Sequence, residues 1–257
     1  MSDSEGKILV VGIGPGSPEH LTVRAREALA QSDVVVGYKT YVGLIKELLD
    51  GKELVSSGMR QEVARARKAV DLARLGKTVA VISSGDAGVY GMAGLVYEVA
   101  REVGWSLTSV EIIPGVSALN AAASLLGAPL MHDFAVISLS DLLTPWAKIA
   151  DRLEMAAQAD FVIVLYNPRS SKRTEQIVEA QRIVRRYRDG STPAGIVNSA
   201  FREGQQIVVT DLDHMLDFDV GMLSIVLIGN SSTTTFDGLI VTPRGYERKY
   251  DLADSTG

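Results

Sequence analysis

Cysteine does not occur in this chain. Its absence excludes disulfides, thiolate nucleophiles, iron–sulfur ligation and thiolate zinc sites. Histidine is scarce: His20, His132 and His214 are the only three, and none has the i, i+4 spacing of a helical metal pair. They read as loop or surface residues, and no metal site is expected. There is no apolar run of about 18 residues or more. The opening stretch, "MSDSEGKILVVG", has no basic segment followed by an apolar one. The expectation is a cytoplasmic protein with no membrane span. The formal net charge of −5 provides no general electrostatic grip on nucleic acid, which needs a basic face, so no nucleic-acid partner is expected.

What is present is ample apolar material. The 257 residues are 46% hydrophobic and 22% charged, enough to bury one large core or two modest ones. Apolar, β-branched runs recur: "KILVVGI", "DVVVG", "KELVSS", "KTVAVISS", "VEIIP", then "FAVISL", "DFVIVLY", "AGIVNSA", "QIVVT" and "LSIVLIG". In the first half they alternate with amphipathic stretches at 22–31, 61–75 and 92–103, the pattern of a parallel sheet covered on both faces. "PLMHD" at 129–133 interrupts the rhythm. A charged helix is expected over 173–187, followed by runs close enough in sequence to pair antiparallel. The reading is α/β, with an N-terminal domain over 1–120, a C-terminal domain over 121–250 and a frayed tail at 251–257.

Several motifs fail on inspection. "VGIGPGS" carries Gly12, Gly14 and Gly16 after the first strand. A dinucleotide fingerprint would need glycine at 17, which is serine, and an acid closing the second strand, where "VVVGY" has none. "LGKT" at 75–78 imitates a phosphate loop, but Asp71 stands where the earlier glycine belongs and the segment runs from helix to strand. "SLSDLL" and "GNSSTTT" lack the Gly-x-Ser-x-Gly elbow of a nucleophilic serine and read as caps and turns.

Two stretches resist a purely structural explanation. "SSGDAGVYG" at 83–91 crowds the exit of a buried strand: Gly85 and Gly88 permit close backbone approach, Asp86 can accept hydrogen bonds from an amine or hydroxyls, and Tyr90 offers an aromatic wall. "LYNPRSSKR" at 165–173 is read as a turn followed by Arg169, Lys172 and Arg173 at the start of the next helix. Cations there oppose the helix dipole, which points to an anionic ligand.

Taken together, "GIGPGS", "SSGDAGVYG", "IPGVSALNAAAS", "LYNPRS" and "VTPRGY" resemble the tetrapyrrole methylase family over nearly the whole chain and in the family's order. "GMRQE", "SSGDAGVYGMAG", "HDFAVISLSDLLTPW" and "LYNPRSSKR" are similar to the branch that methylates C17 of a precorrin-3-type ring in cobalamin synthesis. The family usually has Asp-Pro where this chain has Asp86-Ala87. The resemblance implies a homodimeric class III methyltransferase of two α/β domains, with S-adenosylmethionine in the cleft between them. It implies that Pro15, Gly85, Asp86, Val89, Tyr90, Ser117, Ala118, Tyr166, Ala200 and Leu223 line the cofactor site. The tetrapyrrole, a polycarboxylate, would meet Gly14, Lys39, Arg60, Asn167, Arg169, Lys172 and Arg173. Ring contraction coupled to methylation needs an acid or base, and Asp133, His132, Ser140 and Asp141 are the candidates. Rival readings are a methylase of the same fold acting on another corrin intermediate, on ribosomal RNA or on a modified protein histidine, and a binding module that regulates a partner without chemistry.

Overall fold

The computed structural model describes residues 6–252, and the chain divides into two compact units, Met1–Ala118 and Leu119–Gly257. Of the expected tail, Asp251 and Leu252 lie in no helix or strand, and residues 253–257 lie outside the described residues. No helix among the described residues is long and apolar enough to cross a membrane.

The first unit alternates strand and helix: β1 (Lys7–Gly12), α1 (Val23–Gln31), β2 (Val34–Tyr38), α2 (Lys39–Leu44), β3 (Glu53–Ser57), α3 (Glu62–Arg74), β4 (Thr78–Ser83), α4 (Ala93–Glu102) and β5 (Val110–Ile113). The sheet order is β3-β2-β4-β1-β5, and every pair is parallel. The inner strands β1, β2 and β4 are buried on both faces, which is why they read as nearly unbroken apolar runs, whereas the edge strand β3 is largely exposed. Ile8, Val10, Val34, Val36, Val79 and Val81 face one core with α3 and α4. Leu9, Val11, Val35, Ala80 and Ile82 point the other way, into a second core with α1. This is the two-residue alternation of a strand. Thr22 caps α1 by accepting the Ala25 N–H at 3.1 Å. Gly76, at φ +83°, closes α3, and Lys77–Thr78 lead into β4. "LGKT" is thus the helix-to-strand turn read from its spacing.

The second unit contains α5 (Ala118–Leu126), β6 (Gly127–Ala128), β7 (Phe134–Ser138), α6 (Trp146–Gln158), β8 (Val162–Tyr166), α7 (Glu175–Arg185), β9 (Pro193–Asn198), β10 (Gln206–Asp211), β11 (Ser224–Ile228), β12 (Thr234–Phe236) and β13 (Leu239–Val241). Its main sheet runs β10-β9-β11-β8-β7. β7 and β8 are parallel, while β11 is antiparallel to both β8 and β9, and β10 to β9. One core lies between this sheet and the apolar faces of α6 and α7, built on Ile149, Leu153, Ile177, Ile183, Leu165 and Ile196. The small sheet β12-β13-β6 is absent from the strand reading. Its hairpin turns on Asp237 and Gly238, at φ +48° and +77°. A two-residue Asp-Gly loop with both φ positive matches the right-handed twist of the strands it joins.

Candidate functional site

Because the first sheet is wholly parallel, all its strand exits lie along one edge, where open α/β sheets bind ligands. Gly14 and Pro15 follow β1, Lys39 follows β2, and Arg60 follows β3. Gly85, Asp86, Val89 and Tyr90 follow β4, and Ser117 and Ala118 follow β5. The structure therefore brings every candidate residue of this unit to the same edge.

Three backbones converge there. A Cβ on Gly115 would sit 2.3 Å from the Gly85 carbonyl oxygen, and one on Gly12 would sit 2.7 Å from the Gly115 nitrogen. Gly14 and Gly85, at φ +73° and +67°, exchange N–H···O bonds of 3.0 and 2.8 Å. The Asp86 carboxylate is engaged with backbone. Oδ1 accepts the N–H groups of Gly88 at 2.8 Å and Val89 at 3.1 Å, and Oδ2 accepts that of Gly115 at 3.0 Å. Tyr90 adopts a left-handed backbone, φ +52°, with 56% of its surface exposed. Bulky residues held in that region cluster at functional sites. Pro15 and Ser117 are buried.

In the "GMRQE" loop, the buried Arg65 guanidinium donates to Ser57 Oγ at 2.9 Å, to the Gly58 carbonyl at 2.8 Å and to Glu62 at 3.1 Å. This organises the turn that presents the exposed Arg60, itself at φ +65°.

In the second sheet the carboxyl ends of β7, β8 and β9 share an edge with the amino end of β11, since Ser138 pairs with Tyr166 and Ser224 with Asn198. Tyr166, Asn167, Ala200 and Leu223 all lie on it. The Tyr166 hydroxyl accepts the Leu119 N–H at 2.9 Å, satisfying a donor in the first turn of α5. Asn167, at φ +49°, donates from Nδ2 to Ser138 Oγ at 3.0 Å. Asn198 donates to the Asp219 carbonyl at 3.0 Å and accepts from the Ser224 hydroxyl, and the Ser199 N–H reaches the Leu223 carbonyl at 3.1 Å. The loops carrying Ala200 and Leu223 are thereby joined.

Two expectations need correction. Arg169, Lys172 and Arg173 do not begin a helix. They occupy a loop closed by a bridge between Ser170 and Arg173, and α7 starts only at Glu175, with that acid in its first turn. The helix-dipole argument for an anion therefore falls. A different one replaces it: the half-buried Arg173 donates to the Asn167 carbonyl at 3.0 Å, and burial pushes its pKa down while the charge of Asp141 pulls it back up. A partly desolvated cation thus stands at the strand exit. Second, the catalytic candidates do not form one group. Ser140 and Asp141 follow the carboxyl end of β7, whereas His132 and Asp133 precede its amino end. At about 3.3 Å per residue, the strand separates the pairs by roughly 16 Å or more. His132 and Asp133 instead line a hollow of about 210 Å³ with Asp160, Asn230, Ser231 and Arg248. Asp141 accepts from Gln176 Nε2 at 2.8 Å, and the Ser140 N–H donates to Ser138 Oγ at 3.3 Å.

Sequence reasoning missed Ser138, Asn198, Gly115 and Arg65. The first two had a signal: each is the polar residue that ends an otherwise apolar strand run.

The sequence model of a family described as tetrapyrrole (corrin/porphyrin) methylases matches residues 7–216. A Priestia megaterium protein named cobalt-factor III methyltransferase is 60% identical over 251 residues, covering 96% of this chain and 46% of that protein. The chain thus spans about half the length of that relative. A Salmonella typhimurium protein named probable cobalt-factor III C(17)-methyltransferase is 50% identical over 238 residues, covering 92% of this chain and 98% of that one. Among solved structures, the methyltransferase CobJ superposes with a TM-score of 0.85 at 35% identity, over 93% of this chain and 100% of its own.

Proposed function

Since the chain belongs to the tetrapyrrole methylase family, we propose that it transfers a methyl group from S-adenosylmethionine to C17 of a cobalt-factor III-type tetrapyrrole, with contraction of the macrocycle. The near end-to-end match to a relative carrying that name carries the reading.

The residues present fit the cofactor. The strand exits of the first unit combine left-handed glycines, close-packed backbone and the small residues Ser117 and Ala118, with Pro15, Val89 and Tyr90 as apolar surface. Such a lining suits a nucleoside with an amino-acid tail. Pro15, Gly85, Val89, Tyr90, Ser117, Ala118, Tyr166, Ala200 and Leu223 are the residues proposed to hold it. When bound, the cofactor supplies a methyl group already activated by its sulfonium. The chain's task is then alignment of donor and acceptor at about 3–3.5 Å. The ring's carboxylates are proposed to meet Arg169, Lys172, Arg173, Arg60 and Lys39, with Gly14 and Asn167 presenting backbone and amide. Contraction needs a proton moved at the substrate. Ser140 and Asp141 are proposed for this because they share the strand-exit edge with Tyr166 and Asn167.

The test incubates the purified protein and S-adenosylmethionine with the cobalt-bound and the metal-free ring, followed by mass and absorption spectra. One added methyl and the spectrum of a contracted ring are expected with the cobalt form. Methylation without contraction would leave the family and remove the specific reaction. Binding without turnover on either ring would favour a regulatory module. The family resemblance further supports a homodimer, for which light scattering should give twice the chain mass of 27.5 kDa. A monomer at micromolar concentration would refute it.

A further inference from the structure

The carboxylate of Asp86 is placed between two loops. Oδ1 binds the N–H groups of Gly88 and Val89 in its own loop after β4, at 2.8 and 3.1 Å. Oδ2 binds the N–H of Gly115 in the loop after β5, at 3.0 Å. A carboxylate has about four acceptor positions, so three backbone donors take up most of its capacity. On the other side of the same loop, Gly85 is tied to Gly14 by two hydrogen bonds. A Cβ at Gly85 would lie 3.4 Å from the Ala118 nitrogen and 3.7 Å from the Ser117 Cα. The exits of β1, β4 and β5 are therefore one linked body, and the Asp86 side chain joins the last two.

We infer that Asp86 is a positioning residue: it does not bind the cofactor but clamps the loop after β4 to Gly115, and so sets where Ser117 and Ala118 stand. The inference rests on the cofactor reading above only for its effect on affinity. The clamp itself stands on the chain's own hydrogen bonds.

Two variants separate its ties. Asp86→Asn offers one oxygen, enough for its own loop or for Gly115 but not for both. Asp86→Ser keeps a short acceptor for Gly88 and Val89 and cannot reach Gly115. Hydrogen exchange on the ligand-free full chain should show the Gly115 amide exchanging about tenfold faster or more in both variants, with the β1 and β4 amides unchanged. Calorimetry should show affinity falling by about tenfold, and by the same factor for S-adenosylhomocysteine, for 5′-methylthioadenosine and for its 2′-deoxy analogue. A loss confined to ligands carrying the amino-acid tail, or to those carrying the ribose hydroxyl, would place Asp86 on the ligand and overturn the inference. Unchanged exchange at Gly115 in both variants would also overturn it. If the unaltered protein binds none of the three ligands, the cofactor reading fails, and the exchange result still decides whether Asp86 is a clamp.

Discussion

Arg169 and Arg173 stand in one short loop with different surroundings. Arg169 is exposed, whereas Arg173 is half-buried and spends a donor on the Asn167 carbonyl. Removing each should therefore have different consequences. Arg169→Ala should weaken tetrapyrrole binding by about tenfold through one lost charge-assisted contact, with the affinity for S-adenosylhomocysteine and the melting temperature unchanged. Arg173→Ala should weaken the same binding and also cost about 1 kcal/mol of stability, because a partly buried carbonyl loses its donor. Spectroscopic titration and thermal melts measure both. Equal losses of cofactor and tetrapyrrole affinity in Arg169→Ala would remove this loop from substrate recognition. The same residue scale shows how much sequence can disclose. That Arg169 and Arg173 are cations following the strand exit at Tyr166 was legible from the sequence. That one of them is half spent on backbone was not, because the bond depends on the left-handed turn at Asn167, and nothing in "LYNPRSSKR" states that conformation.

At the scale of elements, the ten long strands were legible from their apolar, β-branched residues. The inner strands β1, β2, β4, β8, β9 and β11 are near-continuous apolar runs because both of their faces are buried, while the edge strands β3 and β10 are more exposed. The helices α1, α3 and α4 were legible from amphipathic spacing. What escaped was structure of two or three residues. β6 is Gly127–Ala128, too short to carry a period, and β12 is a fully exposed Thr-Thr-Phe with no apolar face to betray it. The Asp237-Gly238 pair between β12 and β13 was the available signal, and it lies just past "GNSSTTT" at 229–235, the stretch read as caps and turns. The start of α7 was misplaced by two residues for a related reason. A run of cations before "EQIVEAQRIVR" looks like a helix start, but Ser170 and Arg173 bridge each other's backbone and delay the first turn to Glu175. Loop-to-loop ties such as Asp86 to Gly115 lie beyond any periodic reading, since the partners are 29 residues apart and meet only when β4 and β5 flank β1.

For the molecule as a whole, each hydrophobic core cluster lies inside one unit: two on the faces of the first sheet, one under α6 and α7 of the second. The chain's two tryptophans are divided in the same way. Trp105 is buried in a first-unit cluster and Trp146 packs against that of the second. Cooperative unfolding follows a shared core, and chains with more than one core depart from a single transition. Trp146→Phe and Trp105→Phe variants therefore isolate a fluorescence signal from each unit, and Phe preserves the aromatic packing closely enough to keep both folds. In urea, the two signals should change at different midpoints. Each transition should have the slope of a small domain, roughly 1–3 kcal/mol/M, and smaller than the slope expected if the whole 257-residue surface were exposed at once, because the slope scales with the area each unit exposes. Coincident midpoints with the full slope would show that the units unfold as one. In that case a substitution deep in either core, such as Leu153→Ala in the second, would be expected to lower both signals together, and the division into two cores would describe packing without describing stability.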